Sequence, residues 1–132
     1  MAFFAFSFVM PKVLGLGGVF FKAKRPKQLA RWYAKWLGLD VEDWGGVRFL
    51  ARSMPAKGYT VWSPFPSRTD YFRPSRKQFM INFVVDDLDA ILERLARSGV
   101  KVLKETEQSE FGRFGWFVDP EQNKVELWQP PS

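Results

Sequence analysis

The chain has no cysteine and no histidine among its 132 residues. The first absence excludes disulfides, thiol catalysis and cysteine-bound zinc. The second removes the side chain that most often ligates catalytic metals and that changes charge near neutral pH. A cysteine-free chain suits the cytoplasm. Long apolar runs are also missing. The largely apolar start, "MAFFAFSFVM", is too short to span a bilayer and lacks the basic leader and small-residue cleavage site of a secretory signal. Residues 1–11 therefore read as an N-terminal extension, with a true start at Met10 as the plain explanation for residues 1–9, and no membrane association is expected.

What is abundant is aromatic: 14 Phe and 6 Trp. So many rings either fill a core or line a pocket for a flat apolar ligand. The net charge of +6 favours anionic molecules. The basic residues are scattered, however, and the densest run, "KAKRPK" (Lys22 to Lys27), is short. No nucleic-acid-binding motif accompanies it, so nucleic acid is not an expected partner.

The pattern repeats once. "GVFFKAKRPKQLARWYAKWLGLDV" (Gly18 to Val41) can be laid on "MINFVVDDLDAILERLARSGVKV" (Met80 to Val102), and "YTVWSP" (Tyr59 to Pro64) on "VELWQP" (Val125 to Pro130). In Lys27–Leu37 and in Leu88–Ala96 the apolar residues recur at helical spacing, giving two amphipathic helices. Asp87 is placed to cap the second, and Gly38 and Gly99 to end the two in a left-handed turn. Short strands are predicted over Val47–Arg52, Tyr59–Ser63, Val100–Leu103, Phe114–Val118 and Lys124–Trp128, in addition to the first strand of each copy. "DPEQN" supplies turn chemistry before the last of them. Each copy is thus β-α-β-β-β: a first unit at 12–64, a proline-rich linker at 65–77 and a second unit at 78–131, together one α+β domain over 12–131. A unit of about 60 residues is marginal alone, so the copies should pack on each other or pair across a homodimer.

Strand alternation locates a site, because successive side chains point to opposite faces. Val19, Phe21 and Ala23, with Ile81, Phe83, Val85, Val125 and Leu127, form an apolar face for the helices to cover. The other face carries Gly18, Phe20 and Lys22; Thr60 and Trp62; Met80, Asn82 and Val84; and Glu126 and Trp128. A curved mixed sheet with that face inward would make a cleft with apolar walls and a few placed polar groups. Glu126 is the one acid in the closing apolar strand and points into this cleft.

The tandem β-α-β-β-β units, "WYAKWLGLDV", "FVVDDLDAILERLARSGV" and above all the closing "GRFGWFVDPEQNKVELWQP" resemble the vicinal-oxygen-chelate superfamily, which includes glyoxalase I, the bleomycin-resistance proteins and the extradiol dioxygenases. The likeness covers Lys12 to Pro131. It implies the glyoxalase/bleomycin-resistance fold, a curved sheet around a cleft. It also implies that a divalent metal, where present, is held at positions matching Gly18, Thr60, Met80 and Glu126. Of these, only Glu126 is a competent ligand for a hard cation. Gly18 has no side chain, Thr60 is a weak neutral donor and Met80 is a soft thioether. No metal or other cofactor is therefore expected.

Three roles stay open on the sequence. The chain can be a metal-free binding protein whose Phe20, Trp62, Trp128 and Trp116 stack on a small organic ligand, with Lys22, Thr60, Met80 and Asn82 around it and Glu126 pairing with a ligand cation. It can be an enzyme of lyase, isomerase or dioxygenase type with Glu126 as catalytic base or metal ligand and Lys22 stabilising an anion. Or it can be a structural subunit without a small ligand. Each residue also has a plain alternative: the rings as core or dimer interface, Lys22 as a solvated strand end, and Glu126 in a salt bridge with Lys22 or Lys124.

Overall fold

The computed structural model describes residues 10–132; residues 1–9, where the notional early start falls, lie outside the described residues. The helices form where the periodicity puts them. Helix α1 spans Pro26–Leu37 and α2 spans Leu88–Arg97. Pro26 opens α1, where a missing N–H costs nothing. Its N-cap, Arg25, brings no capping side chain; instead Glu121, from the β3–β4 turn described below, accepts the N–H groups of Lys24 at 2.7 Å and Arg25 at 2.8 Å. A carboxylate is thereby held at the positive end of the helix, and these two amides keep its acidity stronger than that of an ordinary Glu. Asp87 caps α2 by accepting the N–H of Ala90 at 3.1 Å. Gly38 (φ +70°) and Gly99 (φ +91°) both take the left-handed conformation just past the two helices, as their positions required.

Among the described residues the sheet has four strands: β1 Ile81–Val84, β2 Glu107–Ser109, β3 Gly112–Val118 and β4 Lys124–Gln129, in spatial order β1-β4-β3-β2. β1 runs parallel to β4, and the β4–β3 and β3–β2 pairs are antiparallel. The β3–β4 hairpin is closed by the "DPEQN" turn. Asp119, only 2% exposed, accepts the amides of Glu121 and Asn123 and the side-chain amide of Asn123. Its remaining lone pairs take the hydroxyl of Tyr33 from α1 at 2.8 Å. Burial and this carboxylate push the Tyr33 hydroxyl far above the ordinary tyrosine range, so it remains a donor. One acid thus fixes both the hairpin and the docking of the first unit's helix.

The core is the helix-side face. Phe117, Val125 and Leu127 meet Leu29 and Tyr33 of α1 and Leu88, Ile91 and Leu95 of α2, with Phe83, Val85 and Ala23 at its margin. Each large apolar side chain buried there contributes about 1.5–3 kcal/mol. Gly115 lets α2 approach the sheet closely, since a β-carbon there would press on Leu88 and Leu92.

The first unit departs from expectation. Residues 18–23, 47–52 and 59–63 are extended or irregular, and none forms a strand; Ala51–Ser53 is instead a short 3-10 turn. Val19 and Phe21 are not covered by the helices; they remain 54% and 42% exposed. The physical reason is the lack of a neighbour: an extended segment becomes a strand only when another strand completes its ladder. In the second unit, Val100–Leu103 reduces to a single bridge, Val102 to Phe117, flanked by backbone bonds from Leu103 to Trp116 and from Val118 to Lys101. β2, short and polar throughout, had no periodic signal to announce it.

Candidate functional site

Opposite the core, the sheet presents a second face. Strand register puts Asn82 beside Glu126 and Trp116 on its other side, so the three form one cross-strand row. Next to it lies a row of Val84, Trp128 and Phe114, and beyond it the pair of Lys124 and Val118. Alternation along β4 therefore does place Glu126 away from the core, where the sequence put it.

Among the described residues Glu126 has no salt-bridge partner. The ion pairs among the described residues are Arg48–Glu42, Arg97–Glu93 and Arg113–Asp89, none involving it. Instead it accepts hydrogen bonds from uncharged donors. The side-chain amide of Asn82 reaches Oε2 at 2.8 Å, the indole N–H of Trp116 reaches Oε1 at 3.1 Å, and the hydroxyl of Tyr71 also reaches Oε1. A set of good donors is what makes a half-buried carboxylate tolerable. Asn82, ambiguous in the sequence, is thus one of the groups that hold the acid.

Tyr71 is the residue that sequence reasoning missed. It belongs to the linker, which folds back over the sheet. Its ring stacks on Phe65 (5.6 Å, 21° between planes) and meets Trp116 edge-on (6.2 Å, 90°). Burial and the Glu126 carboxylate hold its hydroxyl protonated well beyond the usual tyrosine range. Lys124, 7% exposed, donates to the Tyr71 carbonyl at 2.6 Å, and its ammonium lies over the rings of Tyr71 and Trp116 at 5.1 and 5.6 Å. Burial makes this lysine easier to deprotonate than usual, partly offset by Glu126, Asp70 and Glu105. The only sequence signals for Tyr71 were an aromatic residue in a linker and an unpaired acid elsewhere.

The other candidates divide. Trp128 is in the face, stacked on Phe114 (6.1 Å, 6°) and covered by Tyr59 (4.8 Å), with its N–H donated to the Phe111 carbonyl at 2.7 Å. Met80, half-buried, lies just before β1. Gly18, Phe20, Lys22, Thr60 and Trp62 belong to first-unit segments outside the sheet and are exposed, Phe20 at 91% and Trp62 at 80%. Within one chain they are not drawn into the Glu126 row by strand pairing. A hollow of about 260 Å³ lies elsewhere, at the β1 edge between Leu39, Val47, Phe49, Phe83 and Val85; Asn82, Trp116 and Glu126 do not line it.

As a metal centre the donor set is poor. Among the described residues no three His, Cys, Asp or Glu side chains come together, and both oxygens of Glu126 face N–H or O–H donors. The remaining positions, Gly18, Thr60 and Met80, offer no further anionic ligand. The residues present do not fit a divalent ion.

A mixed sheet with both helices on one face, and a cradle of polar and aromatic groups on the other, define an α+β protein of the glyoxalase/bleomycin-resistance type. A glyoxalase-like domain profile matches residues 18–128, and the chain belongs to that family. The fold is similar to that of the oxidase ChaP-H2, at 20% identity over 83% of this chain and 87% of that one, with a TM-score of 0.50. TnmS3, an antibiotic binding protein from Streptomyces sp. CB03234, is 22% identical over 83% of this chain and 88% of its own, with a TM-score of 0.48. A glyoxalase/bleomycin resistance protein/dioxygenase superfamily member from Sphaerobacter thermophilus DSM 20745 is 32% identical over 37% of this chain, with a TM-score of 0.34. The likeness spans only 40% of that protein, and 46% of a related domain from Frankia sp. EAN1pec. No curated protein matches the chain. No helix among the described residues is long and apolar enough to cross a membrane.

Proposed function

We propose that this glyoxalase-like protein binds a small organic molecule over the Glu126 row, without a divalent metal, as a cytoplasmic homodimer. The observation that carries the reading is the makeup of that row: one carboxylate held by neutral donors and surrounded by Trp116, Tyr71, Phe114 and Trp128. Apolar walls with a single oriented polar group are the usual composition of a small-molecule site. Glu126 acts here as a hydrogen-bond acceptor that orients the ligand.

The homodimer supplies the missing wall. Phe20, Phe49, Val61 and Trp62 are more than 60% exposed, an apolar surface of the kind that marks an interface. Among the described residues β1 is an edge strand with one side unpaired, and an open edge accepts another strand. In this arrangement Phe20, Lys22, Thr60 and Trp62 join the cleft from a first unit, whether swapped or not, and linker 65–77 closes over it. The charge pattern offers nucleic acid no dedicated surface.

The test is tryptophan fluorescence and calorimetry against a panel of aromatic compounds, with and without EDTA, and against Ni, Mn, Zn and Fe(II) alone. Saturable binding of one aromatic class, unchanged by EDTA, supports the reading. Binding that appears only with a metal overturns it. Glu126→Gln should weaken the binding of ligands that donate to the acid while leaving the fold intact.

A further inference from the structure

Segment 65–77 is tied to the sheet at two points. At its far end Ser75 is buried, and the Lys77 ammonium donates to the Asn123 side-chain carbonyl at 3.0 Å. At Tyr71 the hold comes from β4: Lys124 donates to the Tyr71 carbonyl at 2.6 Å, and the same ammonium lies over the Tyr71 ring. The other backbone bonds nearby are local to the turns: the Tyr71 amide to the Thr69 hydroxyl, Arg73 to Asp70 and Ser75 to Phe72. Lys124 is thus, among the described residues, the sheet side chain that fixes the backbone at position 71. Its choice of acceptor matters. Glu126 is two residues along the same face, yet the ammonium bonds a carbonyl, which satisfies a buried cation without using up the carboxylate. Tyr71 and Trp116 both donate to Oε1 of Glu126, and Asn82 donates to Oε2. A carboxylate oxygen has room for about two donors, so Oε1 is full and Oε2 keeps a lone pair.

We infer that Lys124 is a positioning residue: by gripping the Tyr71 carbonyl it keeps the Tyr71 hydroxyl on Oε1, makes segment 65–77 a fixed wall, and leaves Oε2 as the oxygen that meets the ligand. The last part rests on the small-molecule reading above; the first two do not. The physical reason is the cost of an unmade bond. Without the Lys124 ammonium, the Tyr71 carbonyl loses its donor and turns toward water. The ring then loses its cation as well, and the hydroxyl is drawn off the carboxylate with the backbone that carries it. Lys77 and Ser75 hold only the other end of the segment, so they do not replace this grip.

The test reads the Tyr71 hydroxyl directly. The chain has three tyrosines, so a sample labelled with carbon-13 at the hydroxyl-bearing ring carbon gives one signal for each. In the wild type, Tyr33 and Tyr71 are expected to stay protonated up to about pH 11, because burial and a carboxylate partner hold both hydroxyls above the ordinary value of about 10. At Tyr71 that partner is Glu126, with Glu107 of β2 adding to it. In Lys124→Gln and in Lys124→Met, Tyr71 is expected to titrate within about one unit of the ordinary value. Tyr33 stays silent in both and reports that the fold is intact; the methionine variant keeps an apolar chain in the same space and serves if the glutamine variant does not fold. The direction is diagnostic. A lysine acting through its charge alone favours the phenolate, so its removal would make Tyr71 harder to ionise. Tyr71 still silent at about pH 11 in a folded variant overturns the inference. No ligand enters this readout, so its failure leaves the small-molecule reading standing, and failure of the ligand panel leaves the grip of Lys124 on Tyr71 standing.

Discussion

The two halves of this chain carry nearly the same pattern and come to different ends. From Ile81 to Gln129 the second unit forms a bonded sheet with α2 against it and a core in which Phe117 and Leu127 are fully buried. From Gly18 to Pro64 the first unit forms its helix, docks it through Leu29 and Tyr33, and leaves the rest without a strand, with Phe20, Phe49 and Trp62 largely in solvent. The difference lies in the connections. In the second unit, Asp119 fixes a tight hairpin by accepting two backbone amides and a side-chain amide. The corresponding piece of the first unit, "ARSMPAKG" (Ala51 to Gly58), makes only local bonds: Ser53 to Leu50, Met54 to Ala51 and Gly58 to Pro55. Nothing there sets a register between 47–52 and 59–63. A helix can form and dock from its own sequence, whereas a strand needs a partner.

The largest effect that sharpens this contrast is in the core. Phe117→Ala should cost about 3–5 kcal/mol of stability, measured by chemical denaturation. Phe20→Ala, an equally large truncation in the first half, should cost less than about 0.5 kcal/mol under conditions where the protein is monomeric. Asp119→Ala follows, at about 3 kcal/mol, because it leaves the buried Tyr33 hydroxyl and two turn amides without their acceptor. Gly112→Ala should cost about 2–3 kcal/mol in the same assay: Gly112 has φ +118°, and a β-carbon there would collide with the Gln129 carbonyl. A comparable loss from Phe20→Ala in the monomer would break the comparison.

The smallest effect is electrostatic. Glu121 is more acidic in the folded chain than its ordinary 4.5, because the Lys24 and Arg25 amides stabilise its charge. For a carboxylate lowered in this way, the added stability is complete above the unfolded value and is lost as pH falls through the folded one. Melting temperature followed downward from pH 6 should therefore fall less steeply below about pH 4.5 in Glu121→Gln than in the wild type. Identical curves would remove Glu121 as a link between the α1 start and the hairpin.

Legibility followed the same division. Helical periodicity placed α1 and α2 within one residue at each end, because a buried stripe is written locally. Alternation placed Glu126, Asn82 and Trp128 on the face away from the core, because β4 and β1 do pair. The same reasoning put Phe20, Lys22, Thr60 and Trp62 on that face as well, and within one chain it fails for want of a ladder. Tyr71 was not legible at all. Its bond to Glu126 spans 55 residues and comes from a segment with no period to read. The neutral donors of Glu126 were hidden for a similar reason. A lysine two residues away looked like the natural partner, but Lys124 turns to the Tyr71 carbonyl and leaves the acid to Trp116 and Asn82.

The central claim is that the first half stays open until a second copy closes it over the Glu126 face. Amide hydrogen exchange of residues 18–23, 47–52 and 59–63, followed as a function of protein concentration, tests it most directly. The account predicts fast exchange in dilute solution and slow exchange at concentrations where the protein dimerises, with 81–84 and 124–129 protected throughout. Fast exchange of the first-half segments at every concentration, or protection that does not depend on concentration, would contradict it.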